Sequence, residues 1–170
     1  MIVRVWTSWL VVAGISILTS APCRAQDDDF AAVAKALPEA TLSIGQALKL
    51  SEPTGKPISA GYEIQRDTLL LSIVTMKDDQ FSEVVINAKS GSLEQVEPLA
   101  DPDEIDHTRD QRAALVKSKI PLDEAVNARE SKNNGYRAVS VMPMLDGEEP
   151  VATIILLKGQ DVKRIAEKLK

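Results

Sequence analysis

Thiol chemistry is nearly missing from this chain, whose one cysteine, Cys23, stands close to its start. Histidine is as scarce, with His107 alone. Aromatic residues make up 4%, and both tryptophans, Trp6 and Trp9, fall within the first ten positions. There is no Gly-rich phosphate loop, no nucleophile elbow and no pair of histidines at metal-binding spacing. Basic runs are absent too, and the formal charge is −5. Each gap excludes something. One cysteine cannot build a disulfide framework. One histidine leaves nucleophilic and general-base catalysis with few parts. An acidic chain without a basic stripe argues against nucleic acid or an anionic membrane surface as partner.

What is present begins with a leader. A short basic lead containing Arg4 precedes an almost wholly apolar run over residues 5–18, and Ala21, Pro22, Cys23, Arg24 and Ala25 form a processing site. This three-part layout is that of a secretory signal peptide over residues 1–25, cut after Ala25. The apolar run is shorter than the ~20 residues a membrane span needs, and Thr7, Ser8 and Gly14 interrupt it. No stable span is expected after cleavage, and the mature protein is placed in the periplasm or outside the cell. Cleavage removes Arg4 and Arg24 and no acid, which takes the formal charge from −5 to −7. It also removes the only thiol.

The mature chain opens on Asp27, Asp28 and Asp29, read as a solvated leader and N-cap; adjacent acids without a Gly-turned loop make a poor calcium cage. Phe30, Val33, Ala34 and Leu37 then recur at helical spacing, with Pro38 ending the helix. Residues 26–40 thus form a helical leader. Ser43 and Gln46 have the spacing of a capping box, followed by an apolar stripe of Ile44, Ala47 and Leu48. Between residues 60 and 96 the pattern changes. Short apolar segments (residues 62–64, 69–76, 81–88 and 93–96) are separated by Arg66-Asp67, Asp78-Asp79 and Ser90-Gly91, the pattern of an antiparallel meander. Residues 41–98 therefore read as a helix on a sheet.

Residues 99–119 read as a linker with a helix that faces Leu115 and Val116 inward. Residues 120–170 repeat the first module in outline. Pro121 to Val126 aligns with Ser43 to Leu48 at an offset of 78. Residues 136–142 alternate, with Ala138, Ser140 and Met142 on one face and Val139 and Val141 on the other. Asp146-Gly147 is a hairpin signal. Matching it to Asp78-Asp79 gives an offset of 68 and leaves about ten extra residues in the first copy. Residues 161–170, with Val162, Ile165, Ala166 and Leu169 at helical spacing, read as a terminal amphipathic helix. The expected fold class is α+β: two small modules, each a helix packed on an antiparallel β-meander, packed on each other.

Ile86, Asn87, Ala88, Lys89, Ser90, Gly91, Ser92 and Leu93 carry a family resemblance. The order helix, Tyr-containing strand, long strand, polar turn, strand and Gly turn resembles a tandem of PepSY domains, exported modules also found in propeptides of some secreted metalloproteases. That family commonly has Val-Asp-Ala, a variable residue, Thr-Gly, a variable residue and an apolar one. Here Asn87 replaces the Asp and Ser90 the Thr, each keeping a short polar side chain for the turn. The resemblance covers residues 41–98 best, while residues 120–157 lack the terminal turn segment. It implies a non-catalytic exported module, regulatory or inhibitory, that binds another exported protein or peptide. A short exposed sheet edge would be a route to such binding, the alternative being that the other copy covers the edges.

Weighed as sites, the remaining candidates read as structural. His107 lies among Asp101, Asp103, Glu104 and Asp106, where a metal-binding or hydrolytic centre is the sharper alternative and a solvated charge run the plainer one. Glu63, Asp67, Asp78, Asp79 and Glu83 fall in or beside strand turns, where acids are ordinarily exposed rather than paired for acid–base work. Met76 and Met142 are expected at the ends of equivalent strands, with Met144 nearby, filling the core rather than binding copper. Tyr62 and Tyr136 read as half-buried anchors with wet hydroxyls. The expectation is a protein that is not an enzyme, with no catalytic residue, cofactor or metal, and with a structural homodimer as a further alternative.

Overall fold

The computed structural model describes residues 24–170, and side-chain surroundings from Phe30 onward. Apart from Arg24 and Ala25, the expected leader lies outside the described residues. The protein is α+β. Helix α1 (Arg24–Ala36) passes into a short 3-10 turn (Leu37–Glu39), then α2 (Ile44–Ser51) leads into strands β1 (Lys56–Gln65), β2 (Thr68–Lys77), β3 (Gln80–Asn87) and β4 (Leu93–Pro98). Helices α3 (Pro102–Lys117) and α4 (Leu122–Lys132) follow, then β5 (Arg137–Asp146), β6 (Glu149–Lys158) and β7 (Asp161–Lys168). All seven strands form one antiparallel sheet in the order β4-β3-β2-β1-β5-β6-β7. The two meanders therefore join edge to edge through β1 and β5.

The repeat is more regular than the spacing of turns indicated. Ala60 pairs with Val141, the residue 81 positions on. The same offset relates the bulges at Ile58 and Val139, and the turns at Arg66-Asp67 and Gly147-Glu148. It also relates the turns at Asp78-Asp79 and Gly159-Gln160. Asp146-Gly147 thus corresponds to Arg66-Asp67 rather than to Asp78-Asp79, and the ten-residue difference disappears. The helices keep the offset of 78: Ser43 and Pro121 are their N-caps. Three additional residues between helix and strand account for the change.

Four further expectations are corrected. Residues 161–168 are strand, because β6 presents an open edge and β7 satisfies its backbone along the whole length, with Ile165 opposite Ile154. The i, i+3, i+4, i+7 spacing there was a coincidence of composition. The bulge between Ala138 and Ser140 puts them opposite Leu156 and Ile155, neighbours that point to opposite faces, so Ala138 does not share the face of Ser140. Helix α3 buries Leu115 but leaves Val116 exposed. Finally, α1 is already helical at Asp27, Asp28 and Asp29, which therefore do not cap it.

One core serves both halves. Register places Tyr62, Leu71, Ile73, Val84 and Ile86 on the sheet face that also carries Val141, Ala152 and Ile154. Ile44, Ala47 and Leu48 of α2, and Leu122, Ala125 and Val126 of α4, belong to the same buried cluster. Leu71, Ile73 and Ile154 are fully buried, each contributing about 1.5–3 kcal/mol of apolar transfer. α2 starts where expected, since Ser43 Oγ accepts from the Gln46 amide at 3.2 Å and Gln46 Oε1 accepts from the Ser43 amide at 2.9 Å. Gly45 lets α2 meet α4, because a Cβ there would lie 2.8 Å from Asn127 Oδ1.

Candidate functional site

The residues around His107 do not converge. Asp101 caps α3, accepting from the amides of Asp103 and Glu104 at 2.9 and 3.4 Å, and Asp106 pairs with Arg109. His107 itself points to solvent on α3 while Thr108, beside it, is buried. Among the described residues no three His, Cys, Asp or Glu side chains are grouped to hold a metal ion.

The other candidates are dispersed as well. Asp67, Asp78 and Asp79 occupy left-handed turn positions, with Asp79 paired to Arg112 at 2.9 Å. Glu83 is an exception to the exposed-acid expectation. It is buried on β3 and accepts a hydrogen bond from Ser72 Oγ at 2.6 Å. Met76 ends β2, whereas Met142 and Met144 lie within β5 and are exposed, so the strand-end equivalence of Met76 and Met142 does not hold. Two small clefts lie among the described residues. One of about 270 Å³ lies between α2, α3 and the start of β1 beside Leu48, Pro57 and Leu115; the other, about 260 Å³, lies beside Asp67, Asn87 and Lys89.

Tyr62 and Tyr136 have different fates. Tyr62 is buried and donates to the Leu42 carbonyl; burial raises its pKa above the ordinary tyrosine value, partly opposed by the Arg137 guanidinium. Tyr136 lies under Lys163, whose Nζ is 3.9 Å from the ring centroid, and donates to Asp161. Two surface groups also shift. The Lys89 ammonium, hydrogen-bonded to Glu39, holds that carboxyl below its usual range, and Glu39 raises Lys89 in return. Lys170 and Lys168 likewise lower Glu149.

The sheet has two edge strands, β4 and β7, and the more exposed of their large apolar side chains lie on β4. All six of its residues are exposed, including Leu93 and Val96, at 59% and 45%. The Leu99 amide donates to the Phe81 carbonyl, so the Phe81–Leu99 position is hydrogen-bonded. Alternation makes Glu83–Glu97 and Val85–Gln95 hydrogen-bonded pairs and Val84–Val96 a non-bonded pair. The N–H and C=O of Val96 therefore face away from β3. Pro98, the next residue aimed outward, brings a carbonyl and no N–H.

Comparison with known proteins adds no relative: no family model matches the chain, and no match was found among the curated proteins or the solved structures.

Proposed function

We propose that this protein is an exported, non-catalytic binding module that regulates another envelope or secreted protein, in the manner implied by its likeness to PepSY domains. The observation that supports this reading most directly is the β4 edge. Native sheets ordinarily cover, shorten or charge such an edge, because an open one templates pairing with another chain. Here the edge is short and bears Glu94, Glu97 and Pro98, yet Leu93 and Val96 stay exposed and one backbone rung faces outward, the elements of recognition by strand addition. The duplicated fold supplies a rigid seven-stranded platform behind that edge.

Affinity capture of the tagged protein from its own host, with crosslinking and mass spectrometry, tests the reading. One dominant foreign protein crosslinked beside β4 is the expected result. Self-crosslinks alone, with a dimer mass, would overturn it in favour of a structural homodimer.

A further inference from the structure

We infer that Asn134 and Gly135, in the turn between α4 and β5, form a self-modifying site: the Asn134 side chain closes on the Gly135 backbone nitrogen and is converted to aspartate and isoaspartate. The inference stands apart from the binding reading above. The chain has four asparagines, at 87, 127, 133 and 134, and only Asn134 is followed by glycine. Ring closure needs an unhindered nitrogen next in the chain, a peptide unit able to rotate, and a side-chain amide not held elsewhere. The fold denies at least one of these to the other three. Asn87 Oδ1 accepts from the amides of Lys89 and Ser90 at 3.1 and 3.0 Å, and the amide that follows it, Ala88, donates to Leu69. Asn127 stands inside α4, so the next nitrogen is tied into the helix ladder. Asn133 Nδ2 donates to the Arg129 carbonyl at 2.8 Å, and its Oδ1 accepts from Lys163.

Asn134 meets all three demands. It and Gly135 are exposed, and among the described residues neither the Asn134 side chain nor the Gly135 amide is hydrogen-bonded to the protein. The turn is closed by the neighbours instead, the Tyr136 amide donating to the Asn133 carbonyl at 2.9 Å. The peptide unit between Asn134 and Gly135 is therefore left to rotate, and Gly135, at φ +80°, tolerates the rotation. Loss of the Gly135 amide proton frees the nitrogen to attack Asn134 Cγ. The Cγ–N bond forms, the Cγ–Nδ2 bond breaks, and Nδ2 leaves as ammonia with the proton. Water then opens the succinimide at either carbonyl. Either product adds one negative charge beside Lys158, whose Nζ would lie 3.1 Å from a Cβ at Gly135.

The test incubates protein purified from its host in warm, mildly alkaline buffer, beside a synthetic peptide of residues 131–138 as the unprotected reference. Peptide mapping by mass spectrometry should find the mass gain of an amide-to-acid exchange at Asn134 alone, with an isoaspartate-specific methyltransferase labelling part of the product. The rate in the intact protein should fall within about tenfold of the peptide's, because no contact holds either reacting group. Gly135→Ala should slow conversion at least about tenfold in protein and peptide alike, since a Cβ hinders the approach of the nitrogen. The peptide arm keeps that readout independent of how the variant folds. Conversion at Asn134 more than about tenfold slower in the protein than in the peptide, or equal conversion at Asn87, Asn127 or Asn133, would overturn the inference. So would an unchanged rate in Gly135→Ala.

Discussion

Arg137 donates to the hydroxyl of Tyr62 at 3.2 Å, across 75 positions of sequence. The same guanidinium donates to the carbonyls of Leu37, Ala40 and Leu42 at 2.9, 3.2 and 3.0 Å. Tyr62 completes the node by donating to Leu42. The first strand of the second half thus reaches back to the backbone of residues 37–42, where the Leu37 carbonyl also accepts from the Ala40 amide at 3.1 Å.

Removing that arginine should therefore loosen both halves together. Arg137→Met is expected to destabilise by about 2–4 kcal/mol, the cost of half-buried acceptors deprived of a charged donor. Arg137→Lys should recover only part of this, because an ammonium lacks the planar fork. Urea unfolding followed by circular dichroism checks both. A single shifted transition is expected; two separated transitions would show that the halves unfold independently.

Tyr62 makes stability depend on alkaline pH. Its folded pKa is raised by burial, so the native state holds the proton more tightly than the unfolded state does. The resulting stabilisation is complete below the unfolded value near 10 and is lost as pH rises through the folded value. Absorbance titration near 295 nm should contain a component above the ordinary tyrosine range that Tyr62→Phe removes. The same variant should flatten the fall of stability above about pH 10.

The two halves make their hairpins with different chemistry. Arg66, Asp67, Asp78 and Asp79 all have positive φ without being glycine, while the equivalent turns place Gly147 and Gly159 first. Left-handed backbone costs a non-glycine residue roughly 1–2 kcal/mol, against which glycine loses some chain entropy. Arg66→Gly and Asp78→Gly are each expected to raise stability by about 0.5–1 kcal/mol, and Gly147→Ala to lower it by about 1 kcal/mol. Thermal unfolding of the three variants distinguishes this from a neutral outcome.

The acids near His107 act on α3. Asp101→Ala should cost about 0.5–2 kcal/mol through loss of the N-cap. His107→Ala should stay within about 0.5 kcal/mol of the parent, as exposed substitutions do. Divalent zinc added to the parent should leave its unfolding midpoint unmoved. A midpoint raised by zinc in the parent and not in His107→Ala would restore the metal-site alternative.

Features encoded over a few residues were readable in advance. The capping box at Ser43 and Gln46, the inward stripe of Ile44, Ala47 and Leu48, and the reversals at Arg66-Asp67 and Asp78-Asp79 all depend on neighbours in the chain. The apolar pattern marks only residues 62–64 of β1, which runs from Lys56 to Gln65. Pro57 sits beside a bulge, where the ladder is already interrupted. In the sequence the tail reads as helix, since Val162, Ile165, Ala166 and Leu169 satisfy a helical stripe equally well. Only the vacant edge of β6, assembled from residues 149–158, selects the strand. The sequence leaves an exposed edge and a covered one as equal alternatives and does not place either, because which strand lies outermost depends on the order of all seven.

By itself, then, the amino-acid sequence determined the local events: where α2 starts, where the chain reverses, which segments are apolar enough to be buried, and that a helix-then-meander unit occurs twice. Those are set by backbone propensity and short-range hydrogen bonding. The tertiary structure decided that the two meanders share one sheet through Ala60 and Val141, that Arg137 serves carbonyls about a hundred residues away, and that β4 is left open. Such outcomes depend on long-range pairing, in which each strand's partner satisfies backbone groups that no local pattern can assign.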